Sequence, residues 1–224
     1  MSESFYNQLD IIGDRNLGLY GFATDSYCLT GQLKKKENHV EKTLGVEVFE
    51  TKIMELDLIK LFITGNSSLA FVPDILYQKD IERIEHAISK KVEVVVLETE
   101  KAVGNMILMN DNGIVLSPMV RNLKQKVEKH SGLEAEISTI AGLSVIGSAG
   151  LATNKGCLLH PSVTQSEVKK IEKILNVSAE IGTVAFGSHY PGSGIIANSN
   201  GFLTSTATSG PELGRIAEAL KFVE

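Results

Sequence analysis

The chain repeats itself, and that limits its possible folds more than any other feature. The segment from Gly104 to Pro118, GNMILMNDNGIVLSP, lies in gapless register with GSAGLATNKGCLLHP, from Gly147 to Pro161. A third copy is GSGIIANSNGFLTST, from Gly192 to Thr206. Earlier copies are KLFITGNSSLAFVP, from Lys60 to Pro73, and GLYGFATDSYCLTGQ, from Gly18 to Gln32. Aligning them places Cys28, Leu69, Ile114, Cys157 and Phe202 in one slot, at offsets of 41, 45, 43 and 45 residues. Self-similarity at such a period means that each copy is one supersecondary unit whose neighbours complete its core.

Each copy has the same local logic. A short apolar run reads as a strand. Asn112-Gly113, Lys155-Gly156 and Asn200-Gly201 then read as tight hairpin turns, in which glycine accepts positive φ. A second run follows, and Pro73, Pro118 and Pro161 stop it. An amphipathic helix comes next. Ile81, Ile84 and Ile88 share one face, as do Val168, Ile171, Ile174 and Leu175, and Leu213, Ile216 and Leu220. A further strand closes the copy: Val92 to Leu97, Glu134 to Ile140, Ala179 to Val184. The expected fold is therefore α/β: five strand–turn–strand–helix–strand repeats around a central axis, with strands inside and helices outside. Closure into a ring removes exposed sheet edges. The expected domain spans 1–224, with approximate repeats at 12–58, 59–102, 103–145, 146–187 and 188–224.

Composition narrows the function classes. Formal net charge is −5, which argues against a general grip on nucleic acid. Lys34-Lys35-Lys36 is the one basic run, and it reads as a solvated loop. Met1 to Asn7 has neither a basic start nor an apolar run, so no signal peptide is expected. The strongest apolar run, within Val92 to Leu97, is too short to cross a bilayer. Two cysteines are too few for a disulfide scaffold, which fits a reducing, cytoplasmic setting.

Candidate chemistry is sparse. Cys28 and Cys157 share their slot with Leu69, Ile114 and Phe202, so both read as small core hydrophobes rather than nucleophiles. Cys157 and His160 make a C-x-x-H pair, but structural zinc wants four ligands. His160 reads as a half-exposed strand residue, and His39, His86, His130 and His189 are scattered on helices and loops, so no metal or cofactor is expected. Gly192-Ser193-Gly194 opens a strand rather than a helix, which argues against a phosphate loop. Gly18, Gly104, Gly147 and Gly192 share a strand-entry slot. The next slot, Leu19, Lys60, Asn105, Ser148 and Ser193, begins the first strand of each copy, and in a ring those residues gather at one end.

Beyond periodicity, the sequence resembles the archaeal translation initiation factor 6 family, within the pentein propeller fold. Carrying the resemblance are Thr24 to Leu29 (TDSYCL), Ala102 to Asn105 (AVGN), Thr153 to Pro161 (TNKGCLLHP) and Thr208 to Leu213 (TSGPEL). It covers about Gly13 to the end, and the chain lacks the tail of eukaryotic members. The resemblance implies a non-enzymatic monomer that binds the large ribosomal subunit and sterically blocks joining of the small one. Its partner would be a large-subunit ribosomal protein near the sarcin–ricin loop, with a possible part in large-subunit maturation and no small-molecule substrate. It also implies that Gly104-Asn105 lies in the subunit-binding face, with Lys60, Ser148, Tyr190 and Ser193 as neighbours. The competing class is a pentein-type enzyme acting on guanidino groups through a cysteine nucleophile.

Overall fold

A computed structural model describes residues 4–31, 33, 37–88 and 92–223, so the run at 34–36 lies outside the described residues. It contains five three-stranded sheets. In each, an inner strand pairs antiparallel with a middle strand, which pairs parallel with an outer one. The triads are β2 (Gly21–Ala23), β3 (Cys28–Thr30) and β4 (Val48–Glu50); β5 (Thr64–Gly65), β6 (Leu69–Pro73) and β7 (Glu93–Leu97); and β8 (Ile107–Met109), β9 (Ile114–Leu116) and β10 (Ala135–Ile137). The fourth is β11 (Gly150–Ala152), β12 (Gly156–Leu159) and β13 (Ser178–Ile181). The fifth pairs β14 (Ile195–Ala197) and β15 (Phe202–Ser205) with β1 (Tyr6–Leu9), from the opposite end of the chain. The sequence reading assigned no strand to β1.

Five longer helices sit outside: α1 (Glu37–Leu44), α3 (Gln78–Ile88), α5 (Lys124–Ser131), α7 (Gln165–Leu175) and α9 (Gly210–Ala219). The apolar stripes read from sequence face inward, with Ile81, Ile84, Ile88, Ile171, Leu175, Ile216 and Leu220 all buried. The buried side chains form five clusters, each in the seam between two sheets. Leu108 and Val115 of the third sheet, for example, meet Cys157 and Leu159 of the fourth beneath Ile171 and Leu175 of α7. Each seam helix thus covers a join, and no sheet can bury its faces alone.

A short helical turn precedes each inner strand: a 3₁₀ turn at Leu17–Tyr20, then α2 (Ile59–Phe62), α4 (Val103–Met106), α6 (Ile146–Ala149) and α8 (Pro191–Gly194). Each touches the next around the axis, and the last touches the first, so the ring is closed. This corrects the strand-entry reading of the shared glycines, which lie inside these turns. Their reason is proximity. A Cβ on Gly104 would strike the carbonyl oxygen of Lys60, one on Gly147 that of Gly104, and one on Gly192 that of Gly147. A Cβ on Gly18 would lie 2.8 Å from the carbonyl oxygen of Gly192.

The same contacts shift the second copy by one residue. Lys60 stands in the glycine slot, Leu61 beside Asn105, and Ala70 rather than Leu69 in the slot of Cys28 and Ile114. Leu69 is buried one position earlier, across the turn from Asn66. The register is hidden in the sequence because Lys60 and Leu69 stand where the third, fourth and fifth copies carry glycine.

A second correction concerns Gly113, Gly156 and Gly201. None has positive φ. Each instead lies against the end of a seam helix, where a Cβ would collide with the carbonyl oxygen of Ile174, Ala219 or Thr43. The turns themselves are held by side chains: Asn110 Oδ1 accepts from the N–H groups of Asn112 and Gly113, and Thr153 Oγ1 from those of Lys155 and Gly156.

Gly147→Ala should therefore destabilise by about 1–3 kcal/mol, the usual range for overpacking, because the obstacle is backbone. Gly214→Ala, in open space within α9, should be neutral or stabilising. Thermal melting of the two variants checks this; equal melting temperatures would show that the axial contact is not tight.

Candidate functional site

The helical turns put one residue of each copy in an equivalent half-buried position: Leu19, Leu61, Asn105, Ser148 and Ser193. The expected site residues fall together here. The Ser148 hydroxyl donates to Asn105 Oδ1 at 2.8 Å, tying α6 to α4. Asn105 Nδ2 makes no hydrogen bond among the described residues, so the donor side of the amide is open. Gly104 is buried against the Lys60 carbonyl. Ser193 lies against Gly18, and Tyr190 leads into α8, 39% exposed.

Tyr190 also corrects the reading of His160, which is buried rather than half-exposed. The imidazole lies under the rings of His189 and Tyr190, at centroid distances of 5.1 Å and 5.6 Å. Its Nδ1 accepts from the Ser162 N–H at 3.1 Å. Burial, then the neighbouring His189, pull its pKa down, which favours the neutral ring. Among the described residues no three His, Cys, Asp or Glu side chains converge on a metal position.

The inner strands enclose an axial cavity of about 50 Å³. Lys60 lines it, with Nζ 5.0 Å over the Phe22 ring. Burial pulls this ammonium down to about 8. At the opposite pole the hairpin turns bring Asp25, Ser67, Asp111, Asn154 and Ser199 together. Asn154 Nδ2 donates to Asp25 Oδ2 at 2.7 Å and to Asp111 Oδ2 at 2.6 Å. Ser67 donates its N–H and hydroxyl to Asp111, and the Ser199 N–H donates to Asp25. The carboxylates are satisfied, so this pole latches the turns together.

Cys28 and Cys157 are fully buried, and burial raises both thiols. A thiol held in its protonated form deep in a seam is no nucleophile.

One device escaped the sequence reading. The tight bends ahead of the helical turns carry non-glycine residues at positive φ, among them Ile12 (53°), Met54 (53°), Ala141 (55°) and Phe186 (64°). Carboxylates from seam helices pin several. Asp80 accepts from the Met54 N–H, Glu167 from those of Ala141 and Gly142, and Glu212 from those of Phe186 and Gly187. Glu167 and Glu212 also close capping boxes with Thr164 and Ser209, and those T-x-x-E and S-x-x-E spacings were the available signal. The bends hold Ile12 and Phe186 87% and 78% exposed.

The structure is thus a closed five-sheet ring with both thiols buried in its seams. A model of the eIF-6 family matches residues 6–219. The chain belongs to the eIF-6 family. Translation initiation factor 6 of Pyrococcus horikoshii is 37% identical over 223 residues, covering 96% of this chain and 98% of that protein. The factors of Methanosarcina mazei and Sulfolobus acidocaldarius are each 34% identical, covering 96% and 95% of this chain and 98% and 97% of theirs. Among solved structures, a mutant DDAH from Pseudomonas aeruginosa complexed with citrulline is 10% identical, with a TM-score of 0.49 over 73% of this chain and 68% of that one. A likeness that weak bears on neither activity nor site. The eIF-6 family assignment, by contrast, spans every sheet described above.

Desolvation raises the carboxyls of Glu167 and Glu212, but the hydrogen bonds they accept outweigh it and hold both at about 2, below the ordinary 4.5. A depressed folded pKa contributes stability that is complete above about 4.5 and lost as pH falls toward about 2. Replacing both by Gln should lower stability at neutral pH and flatten its fall between those values. Chemical denaturation at pH 7, 4 and 2.5 checks this; an unchanged slope would mean that the carboxylates contribute nothing.

Proposed function

We propose that this protein binds the large ribosomal subunit through the ring end built by the helical turns, and that its bulk there keeps the small subunit from joining. Family membership over nearly the whole chain carries the reading. The local chemistry supports it. The ring end around Asn105 is half-buried, with the unbonded Asn105 Nδ2, Ser148, Ser193 and an exposed Tyr190 able to meet a protein surface. The proposed partner is a large-subunit ribosomal protein near the sarcin–ricin loop, and the protein acts as a cytoplasmic monomer. A part in large-subunit maturation belongs to the same proposal. Among the described residues no helix is long and apolar enough to cross a membrane.

The proposal includes the absence of catalysis. Cys28→Ser and Cys157→Ser should leave subunit binding intact, with a modest stability loss from burying a hydroxyl. Cysteine-dependent hydrolysis of arginine or a related guanidino compound would instead establish the enzyme class.

Asn105→Arg should weaken binding by about 1–3 kcal/mol, since it removes the amide, breaks the bond to Ser148 and puts an unpaired charge in the interface. Ser178→Arg, exposed on the outer strand β13, is the control. Co-sedimentation with purified large subunits and inhibition of subunit joining measure both variants, with thermal melting as a fold check. Parent-like behaviour of Asn105→Arg beside a failing Ser178→Arg would place binding on the outer wall.

A further inference from the structure

Four of the five innermost positions on the helical turns are glycine, because the neighbouring carbonyl leaves no room for a Cβ. The fifth is Lys60. A single long side chain therefore enters the axial space, and it ends in a charge. Its Nζ stands over Phe22 and takes part in none of the ion pairs among the described residues. Carboxylates just ahead of the first two helical turns are committed elsewhere. Asp57 pairs with Lys52 at 3.7 Å, and Asp14 accepts from the Tyr20 hydroxyl at 2.9 Å. Asp25 and Asp111, at the far pole of the same cavity, are engaged by Asn154.

A sheltered ammonium with no counter-charge opposes folding, and an apolar side chain would fill the same space at no such cost. Such a group is explained by a ligand that completes it. We propose that Lys60 receives a carboxylate carried by the protein partner: an Asp or Glu side chain, or a chain terminus, reaching the centre of the ring end. This rests on the large-subunit reading and names the chemistry at its middle. A protein carboxylate fits better than an RNA backbone. Phosphates come in closely spaced series and are met by clustered Lys and Arg. Here one cation is surrounded by Leu19, Leu61, Asn105, Ser148 and Ser193, which are all uncharged. The flexible stem lets the ammonium swing from Phe22 to a carboxylate arriving from outside.

The test uses the full chain with purified large subunits and a water-soluble carbodiimide. The reagent activates a carboxylate as an O-acylisourea. The Lys60 amine attacks its carbonyl carbon, the C–N amide bond forms, the C–O bond to the reagent breaks, and the proton given up by the amine ends on the departing urea. The expected product is a peptide pair joining Lys60 to an acidic residue or C-terminus of a ribosomal protein. Lys60→Met, which keeps the stem, should bind about tenfold or more weakly and melt no lower than the parent. Lys60→Glu should bind more weakly still. Two results overturn the proposal while the parent binds and Asn105→Arg does not: parent-like affinity of Lys60→Met, or no ribosomal-protein cross-link at Lys60. Failure of the parent itself to pellet with large subunits removes the underlying reading, and this proposal with it.

Discussion

Around the axis of this protein, backbone lies directly on backbone. The carbonyl of one helical turn rests where the side chain of the next would begin, from Lys60 to Gly104 to Gly147 to Gly192 to Gly18. This spacing sets how close the five inner strands come, and so fixes the width of the axial cavity and the depth of every seam. The five apolar clusters form because the sheets are drawn in far enough to meet, and each seam helix covers the join left behind. Packing of this kind tolerates little change in volume. The break at Lys60 is therefore notable on physical grounds alone.

Polar groups complete what packing begins. At one end, Asn and Thr side chains close the hairpins and an Asp–Asn–Asp bridge ties three of them together. At the other, Glu167 and Glu212 each organise a helix start and a strained bend at once. Positive φ at Ile12 and Phe186 would be unfavourable in a free loop, and such strain persists where surroundings over-determine it. The face that carries the proposed contacts is thus built on held bends rather than mobile ones.

Much of this was legible in the sequence. The repeat placed all five middle strands, and the 3.6-residue stripes placed α3, α7 and α9 with the correct buried faces. The five-copy slot foretold buried Cys28 and Cys157. Other features carried no local signal. A four-residue turn such as Val103–Met106 is too short for helical periodicity to show, so its residues read as strand. The second copy lacks two of the repeat's glycines, with Lys60 and Leu69 in their places, and the contact of Gly104 with the Lys60 carbonyl and the pairing of Gly65 with Ala70 fix its register. The glycines after the hairpins looked like turn formers because their true constraint, a helix end from elsewhere in the chain, is non-local. His160 is covered by rings from the next copy, which strand alternation cannot reveal. Of the candidate site, sequence gave the residues, and the structure supplied the Asn105–Ser148 bond and the axial setting of Lys60.

The pairing of β1 with β15 has a consequence for how the molecule is made. Tyr6 to Leu9 leave the synthesis machinery 196 residues ahead of their partners, Phe202 to Ser205. Until those residues emerge the first strand has no edge to join, and the fifth sheet is missing altogether. The four other sheets draw all three of their strands from neighbouring parts of the chain and can assemble in order as they emerge. Shutting the ring is then a long-range step that follows the other four sheets, slow by the entropy of bringing two distant segments together. A truncated product would be left as an open arc with bare strand edges, a form suited to capture by proteases or by its own kind.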